Sequence, residues 1–158
     1  MDVVKVRTWV FAIAFALVWY GNGAAFIESF VNYPSWHLVG SEQFRAYHQF
    51  ITPRVITFLV APALVGTIFT IALLWLRPPG VPIWAVWGAI LTQAIVWGST
   101  ITIQLPIQFA LGESGFSPDL IETLSTTNFW LRRIPYATTA VLFLCMLVQA
   151  IVVASERR

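Results

Sequence analysis

Charged residues are scarce in this sequence. Lys, Arg, Asp and Glu make up 10% of its 158 residues, whereas 58% are hydrophobic. A soluble domain carries about 25% charged residues, and the mean hydropathy of +0.77 also argues against that class. The net charge of +2 is small and its positive residues are spread along the chain, which argues against a nucleic-acid-binding surface. The composition therefore indicates an integral membrane protein.

Side chains that bind metals are also few. Cys145 is the single cysteine, so an internal disulfide and a cysteine-based metal site are excluded. The two histidines, His37 and His48, could combine with Glu28 as metal ligands, but their spacing is not typical of a metal site. Neither histidine lies in the middle of a hydrophobic segment, where bis-histidine haem would be expected. We predict no metal site, and the sequence leaves any cofactor undetermined.

Long hydrophobic segments predict an all-α fold. A helix needs about 20 apolar residues to cross the hydrocarbon of a bilayer. Four segments meet that length, at about residues 8–31, 55–76, 83–111 and 136–154. Their apolar runs do not alternate with polar residues, so helices are predicted and not a β-barrel. We expect residues 1–158 to form one four-helix transmembrane bundle, with its outer end capped by short interfacial helices at about 41–54 and 118–131.

The connections between the segments predict the topology. The prolines of the stretch Arg77 to Pro82 end one helix and begin the next, which makes a tight turn. Ser41 and Ser117 are typical N-caps for the two interfacial helices. Lys and Arg near the segment ends number five on the side of the termini, with Arg157 and Arg158 included, against four on the other. This difference places the termini in the cytoplasm.

Glu28 interrupts the first hydrophobic segment. A charged residue at the bilayer centre costs about 2.5–3.5 kcal/mol, although a carboxylate nearer the interface can reach the headgroups. Gly21, Ala24 and Ala25 share its helix face, and small residues allow a second helix to pack closely. We therefore expect Glu28 to point into the bundle, where a carboxylate needs a hydrogen-bonding or charged partner.

Other polar side chains are expected to converge with Glu28 at the outer end. The third segment carries a polar stripe at intervals of three or four residues, formed by Gln93, Trp97, Thr100, Gln104 and Gln108. Pro106 should kink this helix and free the carbonyl of Thr102. The remaining candidate ligand-binding residues are Trp36, Arg45, Arg54, Asn128, Arg132 and Arg133. Two alternatives remain: an interfacial belt of aromatic and basic residues, or hydrogen bonds that only hold helices together.

The stretches "TIQLPIQFALGESG" and "LSTTNFWLRRIPY" resemble a family of small, largely uncharacterised bacterial four-span membrane proteins. Its pattern has Gln-x-Pro-x-His near the end of the third span and Thr-Asn-Trp-x-Arg before the fourth, with an earlier Tyr-Pro and Phe-x-x-Tyr-His. The matching residues are Tyr33, Pro34, Phe44, Tyr47, His48, Gln104, Pro106, Thr127, Asn128 and Arg132 or Arg133. Gln108 replaces the second histidine of the pattern, and Phe129 replaces its tryptophan.

This resemblance covers nearly the whole chain and implies a bacterial inner-membrane protein. More distantly, the size and the four-span layout resemble the anthrone-oxygenase-like membrane proteins. That second resemblance implies cofactor-free oxygenation, by analogy of layout alone.

Our leading functional hypothesis is a binding or accessory protein that holds a small amphiphile or a partner subunit at the polar outer end. The first alternative is a membrane enzyme in which Glu28 and His48 act as acid and base on a quinone-like or lipid-like substrate. The second is a structural subunit of a homo-oligomer or a larger membrane complex. A transporter is disfavoured because four spans are few and the two halves of the sequence show no visible repeat.

Overall fold

Four long helices make up the fold. The computed structural model describes residues 2–156, so the charge count that used Arg157 and Arg158 rests partly on residues outside this range. The helices are α1 (Val3–Leu38), α2 (Ser41–Leu76), α3 (Ile83–Ser114) and α4 (Pro118–Glu156), and each is long and apolar enough to cross a membrane. No strand occurs between residues 2 and 156. The prediction of an all-α four-helix membrane bundle is confirmed.

Local capping explains where several helices begin. Asp2 Oδ1 accepts a hydrogen bond from Val4 N, and the Ser117 hydroxyl accepts one from Leu120 N at the start of α4. The prediction for Ser117 is therefore confirmed. The prediction for Ser41 is wrong, because Gly40 is the N-cap and Ser41 is the first helical residue.

The connections between the helices are short. Gly80 in the α2–α3 turn and Gly115 after α3 both have a φ of 88°, a conformation that favours glycine. A Cβ atom on Gly80 would also lie 2.9 Å from the Cα of Ala150 in α4. The turn is therefore packed against the end of the bundle. The segments that we expected as interfacial helices are the first turns of α2 and α4, and they continue into the membrane-crossing parts of those helices.

The helices form an antiparallel ring in which α1 and α3 each pack against both α2 and α4. At the end that holds the termini, the core contains a cluster of buried apolar side chains. Phe11 and Phe143 stack there with ring centroids 6.0 Å apart, beside Leu73 and Met146. Midway along the bundle, Gly66 of α2 lies so close to α1 that an added Cβ would be 3.1 Å from Leu17 Cβ. Close approach at small residues is typical of helix packing in membranes.

Every helix contains one five-residue π-helical turn, and each of these turns ends two residues before a proline. The four turns are Glu28–Asn32, Ile56–Val60, Thr100–Gln104 and Phe129–Arg133. The prolines that follow them are Pro34, Pro62, Pro106 and Pro135. A proline has no N–H to donate, and its ring clashes with the carbonyl four residues earlier. The wider π turn accommodates this clash, so the kink that we expected at Pro106 takes the form of a π turn.

Neighbouring helices supply hydrogen bonds to two of the carbonyls that lose their donor. The Tyr20 hydroxyl of α1 donates to Phe58 O, four residues before Pro62, at 2.6 Å. The Ser99 hydroxyl of α3 donates to Leu131 O, four residues before Pro135, at 3.2 Å. The prolines therefore also create contacts between helices.

The π turns show an internal repeat that we did not expect from the sequence. The α1–α2 and α3–α4 hairpins each place one π turn in the second half of their first helix and one at or before the middle of their second. When the turns are paired in chain order, Glu28 corresponds to Thr100 and Asn32 to Gln104. The two halves thus have nearly the same spacing of their prolines and share little other sequence.

We predict that a leucine at Gly66 destabilises the bundle. Its side chain would have to push α1 away from α2, and overpacking of this kind costs about 1–3 kcal/mol. The matched control is Gly98→Leu, because nothing lies within 4 Å of a Cβ atom at Gly98. Thermal unfolding of both variants in the same detergent measures the difference. An equal loss of stability at the two sites would contradict the close α1–α2 contact.

Candidate functional site

A cavity of about 500 Å³ lies within the ring of helices. It is lined mainly by α2 and α3, with Glu28, Tyr33 and Trp36 from α1 and Arg132 from α4. Each of the four π turns contributes at least one lining residue. Ile56 of α2, together with Leu105 and Phe109 of α3, lines the cavity while remaining exposed on the outside of the bundle. The cavity therefore opens sideways between α2 and α3.

A chain of hydrogen bonds holds Glu28 in this cavity. Asn32 Nδ2 donates to Glu28 Oε2 at 2.5 Å, while Asn32 Oδ1 accepts from Trp36 Nε1 and from the Tyr47 hydroxyl, both at 3.2 Å. An indole N–H can only donate, so Trp36 fixes the orientation of the Asn32 amide. The amide N–H therefore points at Glu28, which suits a carboxylate that accepts. The Glu28 side chain is only 6% exposed.

Two further buried side chains in the cavity wall carry unpaired polar atoms. Gln104 is 1% exposed and neither atom of its amide has a hydrogen-bond partner, and Arg132 is 8% exposed with an unpaired Nε. Both residues line the cavity. An unsatisfied buried polar group costs about 1–3 kcal/mol, so these atoms are strong candidates for contact with a ligand. Arg132 also interacts electrostatically with Glu28, Tyr33 and Tyr136.

His48 is held in one orientation on the α2 side. Its Nε2 lies 2.7 Å from Gln108 Oε1. An amide oxygen can only accept, so Nε2 carries the hydrogen and Nδ1 is left as an acceptor. The imidazole packs between the rings of Trp36 and Phe44. A Cβ atom at Gly112 would be 3.5 Å from His48 Nδ1, so α3 passes directly beside this ring.

The structure brings together seven of the eleven residues that we predicted for the site. The seven that line the cavity are Glu28, Trp36, His48, Thr100, Gln104, Gln108 and Arg132. Their convergence comes from the antiparallel ring, because the ends of α1 and α3 lie beside the beginnings of α2 and α4. What these residues do there stays a prediction.

The other four predicted residues do not line the cavity. Arg45 donates to the carbonyl of Glu113, and Arg54 donates to Phe50 O at 2.6 Å while lying over the Phe50 ring. The remaining two bind polar side chains of α1. Asn128 Nδ2 donates to Ser29 Oγ and Arg133 Nη1 donates to Asn22 Oδ1, both at 2.8 Å.

The polar stripe of α3 divides into two parts. Gln93 Nε2 donates to the Thr70 hydroxyl of α2 at 3.0 Å, and Trp97 Nε1 donates to that of Thr67 at 2.9 Å. These bonds hold α2 and α3 together. The later members of the stripe, Thr100, Gln104 and Gln108, line the cavity instead. Thr102, whose carbonyl we expected to be freed, does not line it.

Several residues of the site were missed from the sequence. Asn32 lies four residues after Glu28, and Thr52 lies four residues after His48, so helical spacing alone was a usable signal for both. Tyr33 was expected among the aromatic residues around the polar end but was not assigned to the site, and it lines the cavity. Within residues 2–156, no three His, Cys, Asp or Glu side chains are grouped so as to hold a metal ion.

Comparison with known proteins gives no relative: no protein-family model, no curated protein and no solved structure is matched by this chain. The resemblance to the small four-span family therefore stays a prediction. The function must be argued from the cavity and from the residues around it.

We predict that Asn32→Leu destabilises the protein by about 2–4 kcal/mol. The change leaves Glu28, Trp36 and Tyr47 without their shared partner in a buried site, and each unpaired group carries its own cost. The control is Asn22→Leu, which removes a partly exposed partner of Arg133 and should cost about 1 kcal/mol or less. Unfolding in mixed micelles measures both. If Asn32→Leu proves as mild as its control, Asn32 does not organise the site.

Proposed function

We propose that this membrane protein binds a small amphiphile whose polar head lies beside Glu28, Gln104 and Arg132. The molecule enters from the bilayer between α2 and α3, where Ile56, Leu105 and Phe109 give the opening an apolar rim. The volume of about 500 Å³ falls within the usual range for small-molecule sites, roughly 300–1,000 Å³. A lateral opening suits a molecule that is dissolved in lipid.

The observation that carries this proposal is the set of unpaired polar atoms in the cavity wall. Most buried polar groups in native proteins are hydrogen-bonded, yet both amide atoms of Gln104 and the Nε of Arg132 lack a partner. A bound polar head would supply partners to these atoms. Gln93, which joins α3 to α2, has one bonded and one unpaired amide atom. Gln104 makes no such bond to another helix, and both of its amide atoms are unpaired.

The shape of the site also favours one of the two occupants that the sequence suggested. A partner subunit would need a broad exposed surface, whereas Gln104 and Arg132 lie at depth, beyond the reach of a docking protein. We therefore propose that the site holds or presents an amphiphile and does not bind a partner subunit.

We further propose that the cavity lies at the non-cytoplasmic end of the bundle, in a bacterial inner membrane. Lys5, Arg7 and Arg77 are at the opposite end, near the start of α1 and in the α2–α3 turn. Positive residues near span ends favour the cytoplasmic side. This placement would leave the amphiphile in or next to the outer leaflet of that membrane.

An enzyme is the second candidate, because Glu28 and His48 line the same cavity. A carboxyl group and an imidazole whose Nδ1 lies 3.5 Å from the Thr52 hydroxyl could act together as acid and base. The substrate would be a quinone-like or lipid-like amphiphile, and a cofactor-free oxygenation would agree with the more distant resemblance.

To test binding, we predict that Thr100→Phe abolishes co-purification of a small molecule. Thr100 lines the cavity, so a phenyl ring there would occupy space that we assign to the head beside Gln104, whereas Thr102 is two residues away on the exposed side of α3. Thr102→Phe is therefore the matched control and should retain the molecule. Native mass spectrometry and lipid extraction of the wild type and both variants give the readout. Retention in Thr100→Phe, or an empty wild type, would sink the binding proposal.

To separate binding from catalysis, we predict that the molecule extracted with His48→Ala has the same mass as the one extracted with the wild type. A binding protein returns one compound in both cases. An enzyme accumulates substrate in the variant and product in the wild type, so two masses related by one reaction would establish the second candidate.

A further inference from the structure

We propose that the head of the bound amphiphile is electrically neutral and carries both a hydrogen-bond donor and an acceptor. A hydroxyl beside an ester or ketone carbonyl is the simplest such group. This inference rests on the proposed function, since it specifies which amphiphile occupies the same cavity.

Charge balance in the cavity supports a neutral head. Among the residues that line it, Glu28 and Arg132 are buried and have opposite formal charges, whereas the third charged residue, Glu113, is exposed. Asn32 Nδ2 donates a hydrogen bond to the Glu28 carboxyl group. The buried part of the lining therefore has no net formal charge. A head with a net charge would bring an uncompensated charge into a site poor in water, which is costly.

The unpaired atoms support a head with both hydrogen-bonding roles. Gln104 Nε2 needs an acceptor, Gln104 Oε1 needs a donor, and Arg132 Nε needs an acceptor. A hydrocarbon would satisfy none of them. A simple ester or a quinone offers acceptors only and would leave Gln104 Oε1 unpaired. A hydroxyl together with a carbonyl can satisfy all three.

The apolar part of the ligand has a matching path. Ile51, Val55 and Val60 of α2 line the cavity behind the exposed rim. A single acyl or alkyl chain can lie along this wall and leave through the opening into lipid. The head then remains at depth near Gln104, which is nearly fully buried.

A set of four probes with the same chain length tests the inference. Two probes are neutral: monolauroylglycerol has hydrogen-bond donors and acceptors, and methyl laurate has acceptors only. The other two are charged: laurate is an anion and dodecyltrimethylammonium is a cation. Isotope-labelled probes are equilibrated with the full chain in lipid nanodiscs, and the amount taken up by Thr100→Phe discs is subtracted as bilayer partitioning. We expect monolauroylglycerol to bind at least about tenfold more tightly than the other three, a difference that corresponds to about 1.4 kcal/mol.

Each outcome points to one proposal. If none of the probes binds above the Thr100→Phe background, the proposed amphiphile site itself is overturned. If laurate or the cation binds best, the site stands and the neutral-head inference is overturned. Equal binding of methyl laurate and monolauroylglycerol overturns the need for a donor.

Two substitutions test the charge balance directly. Glu28→Gln leaves Arg132 uncompensated, so laurate should gain about tenfold relative to monolauroylglycerol, and Arg132→Gln should favour the cation by a similar factor. Size-exclusion chromatography and thermal unfolding check that the variants fold. If a folded Glu28→Gln variant ranks the four probes by affinity as the wild type does, the charge argument is overturned. If neither variant folds, the affinities of the wild type for the four probes decide whether the head is neutral.

Discussion

A proline inside a membrane helix removes one backbone hydrogen bond, and lipid offers no replacement for it. All four helices of this bundle carry such a proline directly after a π turn. All four turns also contribute to the wall of one cavity. The apolar cluster around Phe11 and Phe143, by contrast, lies mainly in the regular α-helical parts of the bundle. The cavity thus lies where the helices depart from regular α-helical geometry. Irregular backbone at membrane depth is usually found beside a cavity or buried in protein.

The repeat in the backbone makes the difference between the two halves informative. The cavity lies between α2 and α3, and the equivalent position in the other half lies between α4 and α1. Tyr33 and Trp36 of α1 pack against Ile121 and Leu124 of α4 in one apolar cluster, which also includes Phe44 of α2 and Leu111 of α3. The same two aromatic side chains line the cavity. The repeat in the backbone is therefore not a repeat in the packing of side chains.

The hydropathy of the sequence predicts most of the helical architecture, but it does not predict most of the contacts in the site. The four helices were predictable because about 20 apolar residues in a row have few other stable states in a membrane. The inward direction of Glu28 followed from the small residues on its face, Gly21 and Ala25, both of which are buried. The separate roles of Gln93 and Gln104 could not be inferred, because both lie on one stripe and only the local spacing between α2 and α3 distinguishes them. The π turns altered the register further, since each one adds a residue to its turn. Arg45 was assigned to the site because it is three residues from His48, and Arg54 because it stands at the start of the second span. Long basic side chains on a helix surface often bond to nearby carbonyls instead.

The amides of Asn32 and Gln104 differ in their hydrogen bonding. Asn32 and Gln104 occupy equivalent places in the two π turns of α1 and α3, yet the Asn32 amide is bonded at both ends while Gln104 is unpaired at both. The difference arises because Trp36 and Tyr47 reach Asn32, whereas no side chain in the described chain reaches Gln104. In the first half, therefore, the amide organises the Glu28 carboxyl group, whereas in the second half the equivalent amide has no partner among the described residues. This difference agrees with our proposal that Gln104 contacts a bound molecule, because stabilisation of the fold alone would favour two satisfied copies.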